Sequence, residues 1–268
     1  MSGDSDQISL RAMPTAAFIG YRQFPPLMNL YVNYSGILSA VKSYKLCGAV
    51  ESDFRYLVEY HLGYTPRGPL NFGRGFYLRN GKNFRDPILA ATGEQFPLPL
   101  LVSLFDPETV VKLPPLDMDK NPRDMVDEVL RAATSKEYGV IFRFTTEVGV
   151  KRMQRESFEW WKERAAGGGT QEEGGHKVKT RYTLHRLASS TTEDIDGDCD
   201  LVAVLSFNHV LSVTHVFTLE MKGTGLTGEL GDRWTLMVVM TALSLHLLRQ
   251  LGKTGKATVG AAQKIYGK

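Results

Sequence analysis

The sequence predicts a mostly β protein, a closed antiparallel β-barrel around a buried hydrophobic C-terminal helix, with one extra connecting helix. Two observations predict this fold class. The segment from Trp234 to Leu248 is apolar on almost every side, and a helix of that kind must lie in a large core or in a membrane. Roughly nine short runs with strand character precede it, and regularly spaced short strands are typical of barrels and sandwiches. A closed barrel would provide the apolar enclosure that the helix needs.

The first part of the chain has little readable pattern. Residues 1–53 mix aromatic and proline-rich text with a possible short helix at 37–46. We therefore predict an N-terminal extension over 1–53 and a barrel domain over 54–268. Two cysteines, Cys47 and Cys199, indicate neither a disulfide framework nor a zinc site.

The strand predictions begin at Phe54, where apolar and polar residues alternate with a period of two. The dipeptide Asn80-Gly81 is a strong turn signal between two of the strands. A further short apolar run, 100–105, is followed by proline-containing text. The predicted strands are 54–62, 75–79, 88–91, 109–113, 139–147, 155–161, 181–187, 201–207 and 216–221.

The connecting helix is predicted between the strands in the middle of the chain. Asn121-Pro122 resembles an N-cap with proline at the first helical position, and the helix would continue to about Ala133. The glycine-rich segment 165–175 and the acidic segment 189–200 are predicted to be loops.

The C-terminal helix is predicted from Arg233 to Leu251, about 28 Å long at ~1.5 Å per residue. Asp232 would cap its start, Arg249 would suit its last turn, and Gly252 would end it. A membrane span needs roughly 20 apolar residues, and polar residues interrupt this run, so we favour a helix buried in the protein. We expect its most deeply buried residues to be Leu236, Val239, Met240, Leu243 and Leu247.

Three motifs resemble ligand sites but lack essential parts. The run Gly223–Gly228 fits G-x-G-x-x-G, yet no Asp or Glu follows Asp232 to bind a ribose; glycines that turn the chain into the barrel interior are the better interpretation. Gly252-Lys253-Thr254 lacks the rest of a phosphate-binding loop, and Asp194–Asp200 departs from a calcium loop. We expect no cofactor, metal or dinucleotide, and the net charge of +3 is too small to indicate nucleic-acid binding.

No catalytic residue can be chosen from the sequence. None of the six histidines has the spacing of a metal-ligand or hydrolase motif, and strand or core positions explain them better. The candidate binding site is a basic cluster of Lys151, Arg152 and Arg155, which would hold a phosphate or an anionic lipid head group. The alternative interpretation is a charged turn between strands. The N-terminus lacks a secretory signal, so the expected location is cytoplasmic or nuclear, and we expect no transmembrane segment.

Several segments resemble the tubby C-terminal-like fold of tubby proteins, phospholipid scramblases and LURP-one-related proteins. The closer similarity is to small uncharacterised fungal proteins of that type, and it covers residue 54 onward. The resemblance implies the barrel with its central helix, but the phosphoinositide-binding residues of tubby proteins cannot be placed here one by one. It rests on LRNG…DPILA at 78–90, RESFEW at 155–160, YTLHRL at 182–187, LVAVLSF at 201–207 and GELGDRWTLMVVMTAL at 228–243.

These observations lead to two expectations about function. The first is a non-enzymatic β-barrel binding module for an anionic phospholipid surface or a protein partner. The second is an enzyme or a small-molecule-binding accessory protein of a metabolic pathway. The second would need a pocket with converging polar groups, whereas the predicted central helix fills the barrel.

Overall fold

The architecture was established from a computed structural model of the chain. The structure describes residues 23–34, 42–62, 72–95, 106–116, 125–150, 153–163, 180–187, 199–208 and 214–266. Structural statements below refer to these residues. The predicted run at 100–105 and the predicted loop at 165–175 lie outside them, as does most of the acidic segment 189–200.

The described residues form twelve strands and two helices, together with a short 3-10 turn, Gly223–Leu226, before the first of these helices. The strands are β1 Leu27–Val32, β2 Ser43–Cys47, β3 Phe54–His61, β4 Gly75–Arg79, β5 Ile88–Glu94, β6 Thr109–Leu113, β7 Val126–Ser135, β8 Gly139–Val148, β9 Gln154–Lys162, β10 Arg181–Arg186, β11 Asp200–Phe207 and β12 His215–Met221. The helices are α1 Gly231–Gln250 and α2 Lys256–Tyr266.

The strands form a closed antiparallel barrel in which each strand pairs with its neighbours in the chain. β1 closes the ring by pairing with β12, with Leu27 opposite Glu220 and Leu30 opposite Phe217. Closure removes the free sheet edges that would otherwise present unpaired backbone groups. The predicted closed antiparallel barrel with a C-terminal helix is confirmed.

The predicted domain boundary at residue 54 is wrong. β1 and β2 lie before it, and β1 hydrogen-bonds to both β12 and β2. The barrel therefore begins no later than Leu27. These two strands are short, and β1 has β12 from the other end of the barrel domain as one of its partners, which a local pattern does not reveal.

The predicted connecting helix at 121–133 is also wrong over its described part. Residues Val126–Ser135 form β7, which pairs with β6 on one side and β8 on the other. Backbone hydrogen bonds to two neighbours outweigh the weak helical preference of Leu, Ala, Arg and Glu in this segment. The second helix instead follows α1, where Gln263 accepts hydrogen bonds from the backbone and hydroxyl of Thr134.

Helix α1 fills the barrel, as its all-round apolar sequence predicts. All five residues expected to be most buried are at most 1% exposed. The helix begins at Gly231 without a side-chain cap, so the predicted capping role of Asp232 is wrong, although Asp232 lies in the first turn. Arg249 occupies the last turn, and Gly252 follows in a left-handed conformation with φ of 71°, as expected for a glycine that ends a helix.

Two pairs of polar side chains inside the barrel contact each other. The hydroxyl oxygens of Thr92 and Ser244 lie 2.6 Å apart, and the indole N–H of Trp160 donates to the hydroxyl of Thr241. Both Thr241 and Ser244 also donate to carbonyls of the preceding helical turn, which makes burial of these hydroxyls possible. Among the described residues, no helix has the length and apolar character needed to cross a membrane.

Candidate functional site

The two ends of the barrel differ in what they expose. We call the end where α1 begins the near rim; it includes the β2–β3, β4–β5, β6–β7 and β8–β9 connections and the segment from β12 to α1. We call the end where α1 finishes the far rim. The backbone of Gly149 donates to the carbonyl of Leu230, which ties the β8–β9 connection directly to the start of α1.

The near rim carries most of the exposed hydrophobic side chains. Of nine large hydrophobic residues that are exposed in the described part of the chain, six lie on this rim. They come from five different connections, so the gathering results from the barrel topology. The six, with their exposed fractions, are Val50 57%, Phe84 42%, Leu116 45%, Val150 73%, Met153 53% and Leu226 56%.

The predicted basic cluster belongs to the β8–β9 connection of the same rim. Lys151 and Arg152 lie outside the described residues, and their role stays a prediction. In the sequence they follow Val150 and precede Met153, which are the nearest described residues on either side. Both of those side chains are more than half exposed. The segment 150–153 therefore combines two basic residues with two exposed apolar side chains.

Arg155, the third member of the predicted cluster, is held by carboxylates. Its guanidinium donates to both oxygens of Glu128 and to Glu147, each at 2.8 Å, and to the hydroxyl of Thr145. The hydrogen bond to Glu128 is the main reason that the pKa of Arg155 is raised. Because two acidic side chains already neutralise it, Arg155 is poorly suited to binding a head group.

One of these carboxylates, that of Glu147, also connects the barrel wall to α1. Arg233, 4% exposed, donates to Glu147 at 2.7 Å and to the carbonyl of Pro114 at 2.7 Å. Burial would raise the pKa of Glu147, but the hydrogen bond from Arg233 and the charges of Arg233 and Arg155 outweigh it and hold that pKa low. The row Arg233–Glu147–Arg155–Glu128 therefore stabilises the near rim, and its charges are internally compensated.

A second group of exposed basic and apolar side chains lies in the β4–β5 connection, where the sequence predicts only a turn. Lys82, Phe84 and Arg85 are all exposed there. Asp86 accepts from the backbone of Asn83 at 2.8 Å, and its carbonyl accepts from Arg79 at 3.0 Å. These contacts order the turn. A lysine and an arginine beside a phenylalanine were visible in the sequence as a signal.

Three of the four described histidines stack closely on aromatic rings. His61 stacks on Tyr77, His185 on Trp161 and His215 on Tyr31, with ring centroids 3.7 to 4.6 Å apart. Burial lowers the pKa of His61 to about 4. His246 lies inside the barrel among aromatic rings. Among the described residues, no group of His, Cys, Asp and Glu is arranged to hold a metal ion.

The glycine-rich motif passes along the barrel wall. A Cβ atom on Gly225 would lie 2.3 Å from the carbonyl oxygen of Val202 and 2.8 Å from the Trp234 ring, so only glycine fits this close approach. Lys253, from the Gly-Lys-Thr text, is 3% exposed and pairs with Glu94 at 2.7 Å. Both segments have packing roles in the structure.

A small cavity of about 170 Å³ lies beside β3, lined by Gln23, Asp53, Phe54, Arg55, Tyr56 and Lys82. Sites for drug-sized molecules usually measure roughly 300–1,000 Å³. The guanidinium of Arg55 is engaged with Asp53 at 3.0 Å. This cavity offers little support for the expectation of an enzyme or a small-molecule-binding accessory protein.

Comparisons with protein-family models, curated proteins and solved structures found no match. The resemblance to the tubby C-terminal-like fold therefore stays a prediction. Any function has to be argued from the residues of this chain.

Proposed function

We propose that this protein is a non-enzymatic β-barrel module that docks on anionic phospholipid surfaces through one side of its near rim. The proposed surface, called the docking arc, comprises three successive connections, β4–β5, β6–β7 and β8–β9. The observation that carries the proposal is the gathering of exposed apolar side chains in these connections, next to basic residues in the sequence. The docking arc consists of Lys82, Phe84, Arg85, Leu116, Val150, Lys151, Arg152 and Met153.

The combination of apolar and basic tips suits a charged membrane interface better than bulk water. Fully burying a Val, Leu, Phe or Met side chain contributes about 1.5–3 kcal/mol. Each basic side chain near an anionic surface adds ~1 kcal/mol. Neither contribution alone gives firm attachment, whereas two kinds of signal together do. Four apolar and four basic side chains in the docking arc supply both kinds.

Acidic side chains restrict where on the rim the contact can form. Asp53 is paired with Arg55, and Glu51 with Lys45. Glu229 and Asp232, exposed near the start of α1, would repel an anionic surface. This repulsion favours contact through the three successive tips of the docking arc over contact through the whole rim.

The filled interior of the barrel argues against the enzymatic alternative. Fifteen residues of α1 are buried inside the barrel, so the interior is occupied by protein. A protein partner with an acidic and apolar surface is the competing ligand for the docking arc, and the vesicle experiment distinguishes it from lipid.

The test is sedimentation with vesicles of phosphatidylcholine, with or without about one third phosphatidylserine, across a salt titration. We expect the wild-type protein to sediment only with the anionic vesicles and to be released as salt shortens the Debye length. Val150→Ser with Met153→Ser, and separately Lys151→Glu with Arg152→Glu, should each weaken binding.

Ile265→Ser with Lys264→Glu on α2 is the matched control, because it removes an exposed apolar side chain and reverses a charge outside the docking arc. This variant should bind like the wild type. If the wild type ignores anionic vesicles even at low salt, the lipid proposal fails and a protein partner takes its place.

A further inference from the structure

The far rim contains a buried imidazole without a hydrogen-bond partner. His246, on the next-to-last turn of α1, is surrounded by the rings of Tyr44, Phe76, Phe207 and Phe217 at centroid distances of 5.6, 5.7, 6.2 and 6.3 Å. Neither of its ring nitrogens has a partner among the described residues. Buried polar groups nearly always have one, so this imidazole points to a ligand.

Two of the rings around His246 also carry a cation. The guanidinium carbon of Arg249 lies 4.8 Å from the centroid of Phe207, and the Nζ atom of Lys42 lies 5.4 Å from that of Tyr44. Arg249 is one helical turn beyond His246, so both side chains lie on the same face of α1. Both cations therefore lie against rings that contact the imidazole, and the charges of both help to lower the pKa of His246.

A third cation, Lys162, completes the cluster from the end of β9. It donates to the carbonyl of Thr254 at 3.2 Å. Its pKa is lowered by burial and by the nearby charge of Arg249. Within the described part of the chain, none of Lys42, Lys162 and Arg249 forms an ion pair with a carboxylate.

Two acidic side chains of the far rim, those of Glu94 and Glu163, have other partners. Glu94 accepts from Arg74 and Lys253, each at 2.7 Å, and Glu163 pairs with Arg181. Burial, followed by the charges of Lys42 and Arg249, lowers the pKa of His246 to about 3. The imidazole is therefore neutral at physiological pH, with one nitrogen that donates and one that accepts.

We propose that Lys42, Lys162 and Arg249, with the neutral N–H of His246, form a site for a phosphate group, which we call the far-rim anion site. Phosphate suits this set because its several oxygens accept from donors that approach from different directions. A planar guanidinium and two ammonium groups are the side chains that most often bind it. The site lies at the opposite end of the barrel from the docking arc and does not depend on it.

The experiment measures binding of inorganic phosphate by calorimetry and by thermal unfolding, with chloride at matched ionic strength as the reference. The wild type should bind phosphate and melt at a higher temperature in its presence, because a ligand that binds only the folded state stabilises it. Arg249→Gln and Lys162→Gln should each weaken the affinity at least about tenfold, the usual effect of losing a hydrogen bond to a charged group.

His246→Phe should weaken phosphate binding while leaving the protein folded, because phenylalanine fits an aromatic surrounding and needs no hydrogen bond. Lys42→Gln, at an exposed position, provides a further variant that does not threaten folding. Arg55→Gln is the matched control, since it removes an arginine that has a carboxylate partner, and phosphate affinity should not change.

Two results would overturn the proposal: a wild type that prefers phosphate no more than chloride, or an Arg55→Gln variant that loses as much affinity as Arg249→Gln. The source of the phosphate group is tested with soluble glycerol phosphate and with phosphatidic acid vesicles, both added to the Lys151→Glu, Arg152→Glu variant. Binding of the soluble compound assigns a free ligand, and binding of the vesicles that Arg249→Gln abolishes assigns a lipid head group.

Discussion

The indole nitrogen of Trp160 on β9 donates a 3.0 Å hydrogen bond to the hydroxyl of Thr241 in the middle of α1. Both residues are completely buried. Thr241 in turn donates to the carbonyl of Val238, so its hydroxyl both accepts and donates a hydrogen bond. A helix that is apolar on every side has little to set its rotation, and this contact, with the one between Thr92 and Ser244, selects one orientation inside the barrel.

The first prediction concerns this contact. Thr241→Val keeps the side-chain shape but leaves the Trp160 N–H buried without an acceptor, which should lower the free energy of unfolding by about 1–3 kcal/mol. Urea denaturation measures the change. The double variant Thr241→Val, Trp160→Phe should lose less free energy of unfolding than the two single variants lose together. If the two losses simply add, the hydrogen bond has no net effect on stability.

The second prediction concerns the core around α1. Leu243 is 0% exposed, and Leu243→Asp would place a carboxylate there at a cost of several kcal/mol, enough to unfold a marginal domain. Leu243→Met nearly conserves volume and should cost less than about 1.5 kcal/mol. A Leu243→Asp protein with an unchanged thermal transition would contradict the buried position of α1.

The third prediction concerns the dependence of stability on pH through Glu94. Burial tends to raise the pKa of this carboxyl, but hydrogen bonds from Arg74 and Lys253 and their charges outweigh burial and lower it. A lowered pKa in the folded state means that the stabilisation is fully present above the ordinary glutamate pKa of about 4.3. It is lost as pH falls below that value and through the folded-state pKa.

Glu94→Gln tests this dependence. It removes one member of a buried ion pair, a change that typically costs about 3–5 kcal/mol. We expect a large difference in unfolding free energy between wild type and variant near neutral pH, and a smaller one in acid. A difference that stays constant from pH 7 to the acid limit would show that the charge of Glu94 is unimportant.

The fourth prediction separates Arg155 from the other members of the predicted basic cluster. Arg155→Glu should lower the unfolding free energy by about 1–3 kcal/mol, because Glu128 loses its cationic partner, Glu147 keeps only Arg233, and both face a third carboxylate. Lys151→Glu with Arg152→Glu should leave the melting temperature almost unchanged, as surface substitutions usually do. Equal melting of the wild type and both variants would mean that the ion pairs of Arg155 add nothing to stability.

The fifth prediction gives the size of the docking effect. Replacing Lys151 and Arg152 by Gln removes about 2 kcal/mol of attraction to anionic vesicles at ~1 kcal/mol each, which corresponds to roughly thirtyfold in affinity. Lys82→Gln with Arg85→Gln should have a similar effect if both tips touch the surface. Vesicle affinity that is insensitive to both pairs would remove the docking arc as the contact site.

The sequence by itself determined the architecture through patterns that are local. Residues 234–248 are apolar around the whole helical circumference, and alternation from Phe54 onward marks strands, so a filled barrel followed without knowledge of any contact. Burial of Leu236, Val239 and Leu247 was predictable for the same reason. The basic residues Lys151 and Arg152, just after a predicted strand, were also identified from the sequence.

Only the tertiary structure decided the features that depend on residues distant in the chain. β1 becomes a strand because β12 closes the barrel against it, and Val126–Ser135 becomes β7 because two neighbouring strands satisfy its backbone. Arg155 looked like a free cation until the fold brought Glu128 to it. The apolar tips of the near rim and the cations around His246 come together through topology, since no local periodicity encodes which loops share one end of a closed barrel.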